Sequence, residues 1–461
     1  MTTEQPARFD TAWRAALAHA SQAAKGGRDI VLARDLLGRA SLLVDDRSDP
    51  LQPDDPELMS VRAEFIAATR PFAGLEPTQT ASALFAPELF FDVPELTEVT
   101  PRADGVGRVA VLERTVVGAD WLQGPEPAGE DDTRAAETRQ ERRVALYGFK
   151  GGVGRSTATT VLARYLADQG YCVLVVDLDL ESPGVSNLLA DPAGMPRHGI
   201  VDHLVEAGVG NADDLELVAR TSVLPYTGNG EVWLAPAGGQ PLENQQYDYL
   251  AKLNRIYSDL PATEPGASPR PFAVRLEDAI AACEDQVAQL SRKPDVVLLD
   301  SRAGIHDIAA VVLTRLSGLA LLFAVDNPST WEGYRMLLSE WQRRPGRARE
   351  LRERVRIVAA MFHSAGDIQR LGTLRKHAYD MFTKTLYNLP DDGDAEPFLA
   401  PDWEEDDRPY APIPILFGND LVGLDPLRSR AWPELPFVEA AYRTFVTSVE
   451  RLLPPRREET E

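Results

Sequence analysis

Cysteine is nearly absent from this chain: Cys172 and Cys283 are the two among 461 residues, with no C-x-x-C pair. Neither a disulfide framework nor a paired-cysteine iron–sulfur or metal site is therefore indicated. Long apolar runs are missing too, since no stretch reaches the roughly 20 residues of a membrane span. Met1 to Asp10 is polar and charged where a secretory leader would carry an apolar core. The expected setting is a reducing cytoplasm. Positive charge is scarce as well. Lys and Arg number 48 against 71 Asp and Glu, and the net charge of −23 argues against a general nucleic-acid surface while allowing a local one. Apolar residues are plentiful at 44%, enough for one large core and a smaller one.

The most informative segment is Phe149-Lys150-Gly151-Gly152-Val153-Gly154-Arg155-Ser156-Thr157. Before it, Val144 to Phe149 reads as a short apolar strand, and after it Thr157 to Gly170 reads as a helix. Glycines between a strand and a helix let backbone N–H groups turn inward around an anion. The helix N-terminus adds roughly half a positive charge. A strict phosphate-loop pattern, G-x-x-x-x-G-K-[ST], fails at two places, with Phe149 at the first glycine position and Arg155 at the lysine position. Arg155 still supplies a charged donor fork for phosphate oxygens, and the Ser156 hydroxyl suits a magnesium ion bridging the outer phosphates. Lys150 has no role in the ordinary loop. The competing reading is a glycine-rich turn with no ligand.

Two further segments favour the ligand. Tyr171 to Asp179 is an apolar run closing on Asp177 and Asp179, and Asp295 to Gly304 contains a second apolar run closing on Asp300. Such runs suit buried parallel strands, whose C-terminal ends carry ligands in open α/β sheets.

Lys150 to Ser156 resembles the deviant Walker A motif K-G-G-x-G-K-[ST] of the MinD/ParA-type ATPases, departing from it at Arg155. The resemblance covers residues 142 to 453. It implies a doubly wound, mostly parallel α/β sheet that binds ATP and Mg2+, with Gly151, Gly152, Val153, Gly154, Arg155, Ser156 and Thr157 around the phosphates. In that family the early lysine reaches across an ATP-sandwiched dimer, and the resemblance gives this catalytic role to Lys150. By the same resemblance Asp177 lies near the magnesium shell with Ser156 and Asp300, and Asp179 positions the attacking water. Gly304 would bring its amide to the γ-phosphate, so that ATP and ADP give different loop positions. Arg302 stands where many relatives carry proline, and either contacts phosphate or pairs with a neighbouring acid. Val232 to Gly238, Leu319 to Asn327 and Val355 to Phe362 read as further strands, and Ile413-Pro414-Ile415 lies where relatives place an adenine-side loop.

The preceding third carries no recognised family motif. Phe9 to Val44 reads as a helical pair turning at Gly26-Gly27, with Trp13, Leu17, Ile30, Leu32, Leu36, Leu37 and Leu42 buried. Met59 to Thr69 and Ala81 to Phe91 read as helical, and Gly107 to Val117 as a strand. The organisation expected is a mainly helical partner or input domain over 1–123, an acidic linker over 124–141, the nucleotide domain over 142–453 and a charged tail over 454–461. Tyr247, Tyr249 and Tyr257, at near-helical spacing, read as packing. The basic segment Gln342 to Arg356 is either a DNA patch or a solvated helix laced by Glu350 and Glu353, the latter favoured because no aromatics interleave. Phe445, Val446, Val449, Leu452 and Leu453 form an apolar stripe like the amphipathic anchor that ends MinD. The acidic finish of the tail suits an anionic bilayer poorly, so a core helix is expected and no stable membrane anchor.

The expected function is a slowly hydrolysing ATP switch that forms a nucleotide-dependent homodimer and engages an unidentified protein partner through the N-terminal domain. Two alternatives remain open: a regulatory subunit with little or no hydrolysis in a signalling or defence assembly, and a DNA-partitioning ATPase.

Overall fold

The computed structural model describes residues 7–52, 55–93, 96–114, 121, 137–221, 228–240, 247–260, 269–342, 344–362, 368–387, 389, 408–418, 432 and 435–457. The chain divides into two compact units, Met1–Val117 and Gly118–Glu461. Trp121 is buried in the core of the second. Residues 124–136 of the expected linker lie outside the described residues. Residues 137–141 are helical, and Arg139 pairs with Glu284 and Asp285 of the second unit.

The first unit places helices Phe9–Ala23 and Pro56–Thr69 on a five-stranded sheet ordered β3-β2-β1-β5-β4. Its strands are β1 Ile30–Arg34, β2 Ala40–Val44, β3 Ala73–Thr80, β4 Thr97–Thr100 and β5 Val109–Glu113. The expected helical pair over Phe9 to Val44 is correct only for its first half. Beyond Gly27 the chain forms an antiparallel β1–β2 hairpin. Period-two burial explains the difference. Ile30, Leu32, Leu42 and Val44 face the helices with Ala16, Ala20 and Phe65, while Val31 and Leu43 face Phe91 on the other side. Leu36 and Leu37, expected to be buried, sit in the hairpin turn at 64% and 69% exposure.

The second unit is an eight-stranded sheet ordered β13-β12-β11-β6-β10-β7-β9-β8. Its strands are β6 Arg143–Gly148, β7 Cys172–Leu178, β8 Ala219–Arg220, β9 Glu231–Ala235, β10 Val296–Ser301, β11 Leu319–Ala324, β12 Val355–Phe362 and β13 Ile413–Leu416. All pairings are parallel except β8 with β9. Strands β6, β7, β9, β10 and β11 are buried along their whole length, as continuous apolar runs between two helix layers must be. Val144 and Leu146 face helices Arg155–Asp168 and Pro436–Leu452, whereas Ala145 and Tyr147 face Phe272–Leu290 and Pro328–Trp341. Ile413 to Ile415 therefore forms the outer strand β13 beside β12, where a loop was expected. Phe445, Val446 and Val449 are buried in this core, so the C-terminal stripe is a core helix. Among the described residues, no helix is long and apolar enough to cross a membrane.

Burial pushes the Cys172 thiol up to about 12 and raises Cys283 further. The thiolate is the reactive species, so both cysteines should resist a thiol reagent at pH 8 until the unit unfolds. A colorimetric thiol count should read near zero in the native protein and two in denaturant.

Candidate functional site

Strand β6 ends at Gly148, and the loop that follows feeds the helix Arg155–Asp168. Gly152 and Gly154 have φ of 75° and 82°, the left-handed region that glycine enters without a Cβ clash. A Cβ built at Gly151, Gly152 or Gly154 would meet no atom within 4 Å, so the loop borders open space. Lys150 is exposed at the start of this loop, Val153 is buried beneath it, and Thr157 is half-buried in the first helical turn. An open glycine concavity at a helix N-terminus fits a polyphosphate.

Strands β7 and β10 deliver the carboxylates to the same end of the sheet, with Asp177 and Asp300 opposite each other in register. Ser156 Oγ donates to Asp300 Oδ2 at 2.6 Å. Arg155 Nε donates to Asp300 Oδ1 at 2.7 Å, and its Nη2 donates to Asp179 Oδ2 at 3.0 Å. The guanidinium is thus turned onto two carboxylates instead of outward to the glycine loop. Burial works against its charge, but Asp300 and Asp179 outweigh that and hold it above its ordinary value. Burial raises Asp179 as well, only partly offset by Arg155.

Asp177 faces the following loop. Its Oδ2 accepts from Ser186 N at 3.0 Å and Ser186 Oγ at 2.6 Å, and its Oδ1 accepts from Asp179 N at 3.2 Å. Burial, with the Asp300 charge alongside, pushes its carboxyl up to about 7. Both oxygens are engaged in holding the segment after β7. Gly304, φ 82°, donates its N–H to the Gly148 carbonyl at 3.3 Å, and its own carbonyl accepts from Tyr147 Oη at 3.0 Å. Its amide is therefore directed at the end of β6.

The loop, both aspartate-ended strands and Gly304 are brought together; the basic segment and β13 are not part of the cluster. Among the described residues no group of three or more His, Cys, Asp or Glu forms a metal cage. A magnesium ion held through phosphates needs fewer protein ligands, and Ser156 with Asp300 supply a hydroxyl and a carboxylate of the right chemistry.

A model of the CobQ/CobB/MinD/ParA nucleotide-binding domain matches residues 144–387, just over half of the chain. The chain belongs to this family. The relatives agree over shorter spans. The cytosolic Fe-S cluster assembly factor cfd1 of Neurospora crassa is 32% identical over 101 residues, 20% of this chain and 32% of that protein. The NUBP2 homolog of Culex quinquefasciatus, also a cytosolic Fe-S cluster assembly factor, is 28% identical over 40% of this chain and 68% of its own. The chromosome-partitioning ATPase Soj of Thermus thermophilus is 51% identical over 47 residues, 10% and 19% of the two chains. The chain thus spans about a third of the first of these relatives. A solved structure of pNOB8 ParA bound to nonspecific DNA is 15% identical, with TM-score 0.41 over 68% of this chain and 98% of that one.

Several contacts around this family member's site join residues far apart in sequence. Phe149 packs its ring over Gly333 of the helix Pro328–Trp341, and its N–H lies 3.4 Å from Tyr334 Oη. Tyr249 Oη donates to the Leu180 carbonyl at 2.6 Å, and Tyr257 donates to Glu181. Arg302 pairs with Glu181 at 2.5 Å, the acid-pairing option. In the basic segment, Arg347 and Arg354 both pair with Glu350, as a self-neutralised helix requires; Arg343 lies outside the described residues.

Proposed function

We propose that this chain is an ATP-binding switch that hydrolyses slowly, dimerises around nucleotide and passes its state to a protein partner through the N-terminal unit. The observation that supports it most is the convergence of the open glycine loop, Ser156 and two strand-end carboxylates at one edge of the sheet. In this reading Gly151 to Gly154, Arg155 and Thr157 hold the phosphates, Ser156 and Asp300 hold magnesium, and Asp179 orients water once Arg155 releases it. Bound Mg2+ would neutralise phosphate charge. Asp177 acts by holding the segment after β7. Gly304 must exchange the Gly148 carbonyl for a phosphate oxygen, which would make its position nucleotide-dependent. Exposed Lys150 is free of the cluster and is assigned to the partner's phosphates.

A second reading, binding with little or no hydrolysis, is favoured by the Arg155 bridge, which occupies Asp179. Phosphate release measured across a range of protein concentrations tests both. The switch predicts a specific rate that rises with concentration and loses that rise in Lys150→Ala. Analogue binding without measurable phosphate release supports the second reading, and no Mg-ATP binding at all sinks both. A DNA role predicts salt-sensitive binding that weakens when Arg344, Arg347 and Arg349 are neutralised; the Glu350 pairings lead us to expect none.

A further inference from the structure

Glu181 stands four residues beyond Asp177, in the segment that leaves β7, and three groups from elsewhere in the chain converge on its carboxylate. Arg302 Nη1 lies 2.5 Å from Oε1, His306 Nε2 lies 3.4 Å from the same oxygen, and Tyr257 Oη donates to it. Arg302 and His306 flank Gly304 in the segment that leaves β10. Tyr257 follows the helix Tyr249–Ile256 and is packed on the main core against Phe272, ring centres 5.4 Å apart. The His306 ring has one workable arrangement here. Its Nδ1 accepts from the Ile308 N–H at 3.4 Å, which leaves the Nε2–H to point at Glu181. Glu181 Oε2 is buried with no hydrogen-bond partner among the described residues, so the carboxylate is held by its other oxygen alone.

We infer that Glu181 is a positioning residue that fastens the two nucleotide-facing segments, 179–184 and 302–306, to each other and to the core at Tyr257, so that they change position as one body. The inference deepens the nucleotide reading and rests on it for its consequence, but the fastening itself is a property of the free protein. Without Glu181, the hydrogen-bonded tie from 302–306 to the 179–184 segment is lost among the described residues, leaving the longer-range attraction of Arg302 for Asp179, while the contacts of Gly304 run back to β6. With it, an event at Asp179 is carried to Arg302 across strands that are far apart in sequence. Charge-assisted hydrogen bonds to a partly buried carboxylate are strong enough to do this.

Hydrogen exchange on the full chain tests the fastening, and coupling must be reciprocal. Glu181→Ala should speed amide exchange at 302–306 roughly tenfold in the nucleotide-free protein, Glu181→Gln should do so by less, and Arg302→Gln should speed exchange at 180–184. Unchanged exchange at 302–306 in Glu181→Ala overturns the inference. Affinity for a non-hydrolysable ATP analogue with Mg2+ adds a readout that general loosening does not move. Arg302→Gln should weaken binding in the native background and have no further effect in Glu181→Ala, whereas additive losses would overturn the coupling. Absence of analogue binding by the native chain would sink the nucleotide reading, and the exchange result would still decide the fastening.

Discussion

Asp300→Ala should destabilise the second unit by about 3 kcal/mol and abolish Mg2+-dependent binding of an ATP analogue. Asp300 is fully buried and accepts from both Arg155 and Ser156. Its loss leaves the buried Arg155 guanidinium with Asp179 as its remaining acid partner. Removing one member of a buried ion pair costs more than the pair contributes, because the charge left behind is then only partly compensated, here by Asp179 alone of its two acids. Urea unfolding followed by tryptophan fluorescence gives the stability, and calorimetric titration gives the binding. Asp300→Asn should recover part of the stability by keeping a hydrogen-bond acceptor, but little of the binding, since the amide carries no charge for magnesium. A variant as stable as the native protein would mean that the Arg155 bridge contributes nothing.

Gly333→Leu should cost about 3 kcal/mol by overfilling, although leucine is the better helix former. A Cβ at Gly333 would already stand 2.2 Å from carbon atoms of the Phe149 ring, and Phe149 opens the phosphate-facing loop. The ring must leave, and it takes the start of the loop with it, so analogue affinity should fall together with stability. Phe149→Ala in the same chain frees the space that the leucine needs, and the double variant should regain most of the loss. This is a volume exchange of the kind that cores tolerate best. If the two changes were simply additive, the contact would be energetically silent.

The same pair shows where the sequence was legible and where it was not. Strands β7 and β10 could be read because buried parallel strands demand unbroken apolar runs, and Asp177 and Asp300 mark their ends. The glycine loop could be read because strand, glycines and helix are contiguous. Phe149 shows only as a missing glycine; the reason for it is Gly333, 184 residues away in a helix whose pattern gives no hint of contact. Arg302 likewise has an acid partner 121 residues earlier, and nothing local singles out Glu181 from other acids. The β1–β2 hairpin was misread for a different reason. Short apolar runs satisfy helical and strand periods about equally well, and the sheet that decides between them is completed by β5, far along the chain.

The central position of β6 also has a consequence for synthesis. Its two neighbours, β10 and β11, begin at residues 296 and 319, so the strand that carries the glycine loop emerges from the ribosome with neither edge covered. At usual elongation rates both edges stay open for roughly ten seconds or longer. A ribosome-bound chain halted just after Leu290 should therefore be cut by protease within β6, and one halted well past Ala324 should be protected there. The nucleotide site is assembled late, from a strand that waits for its partners.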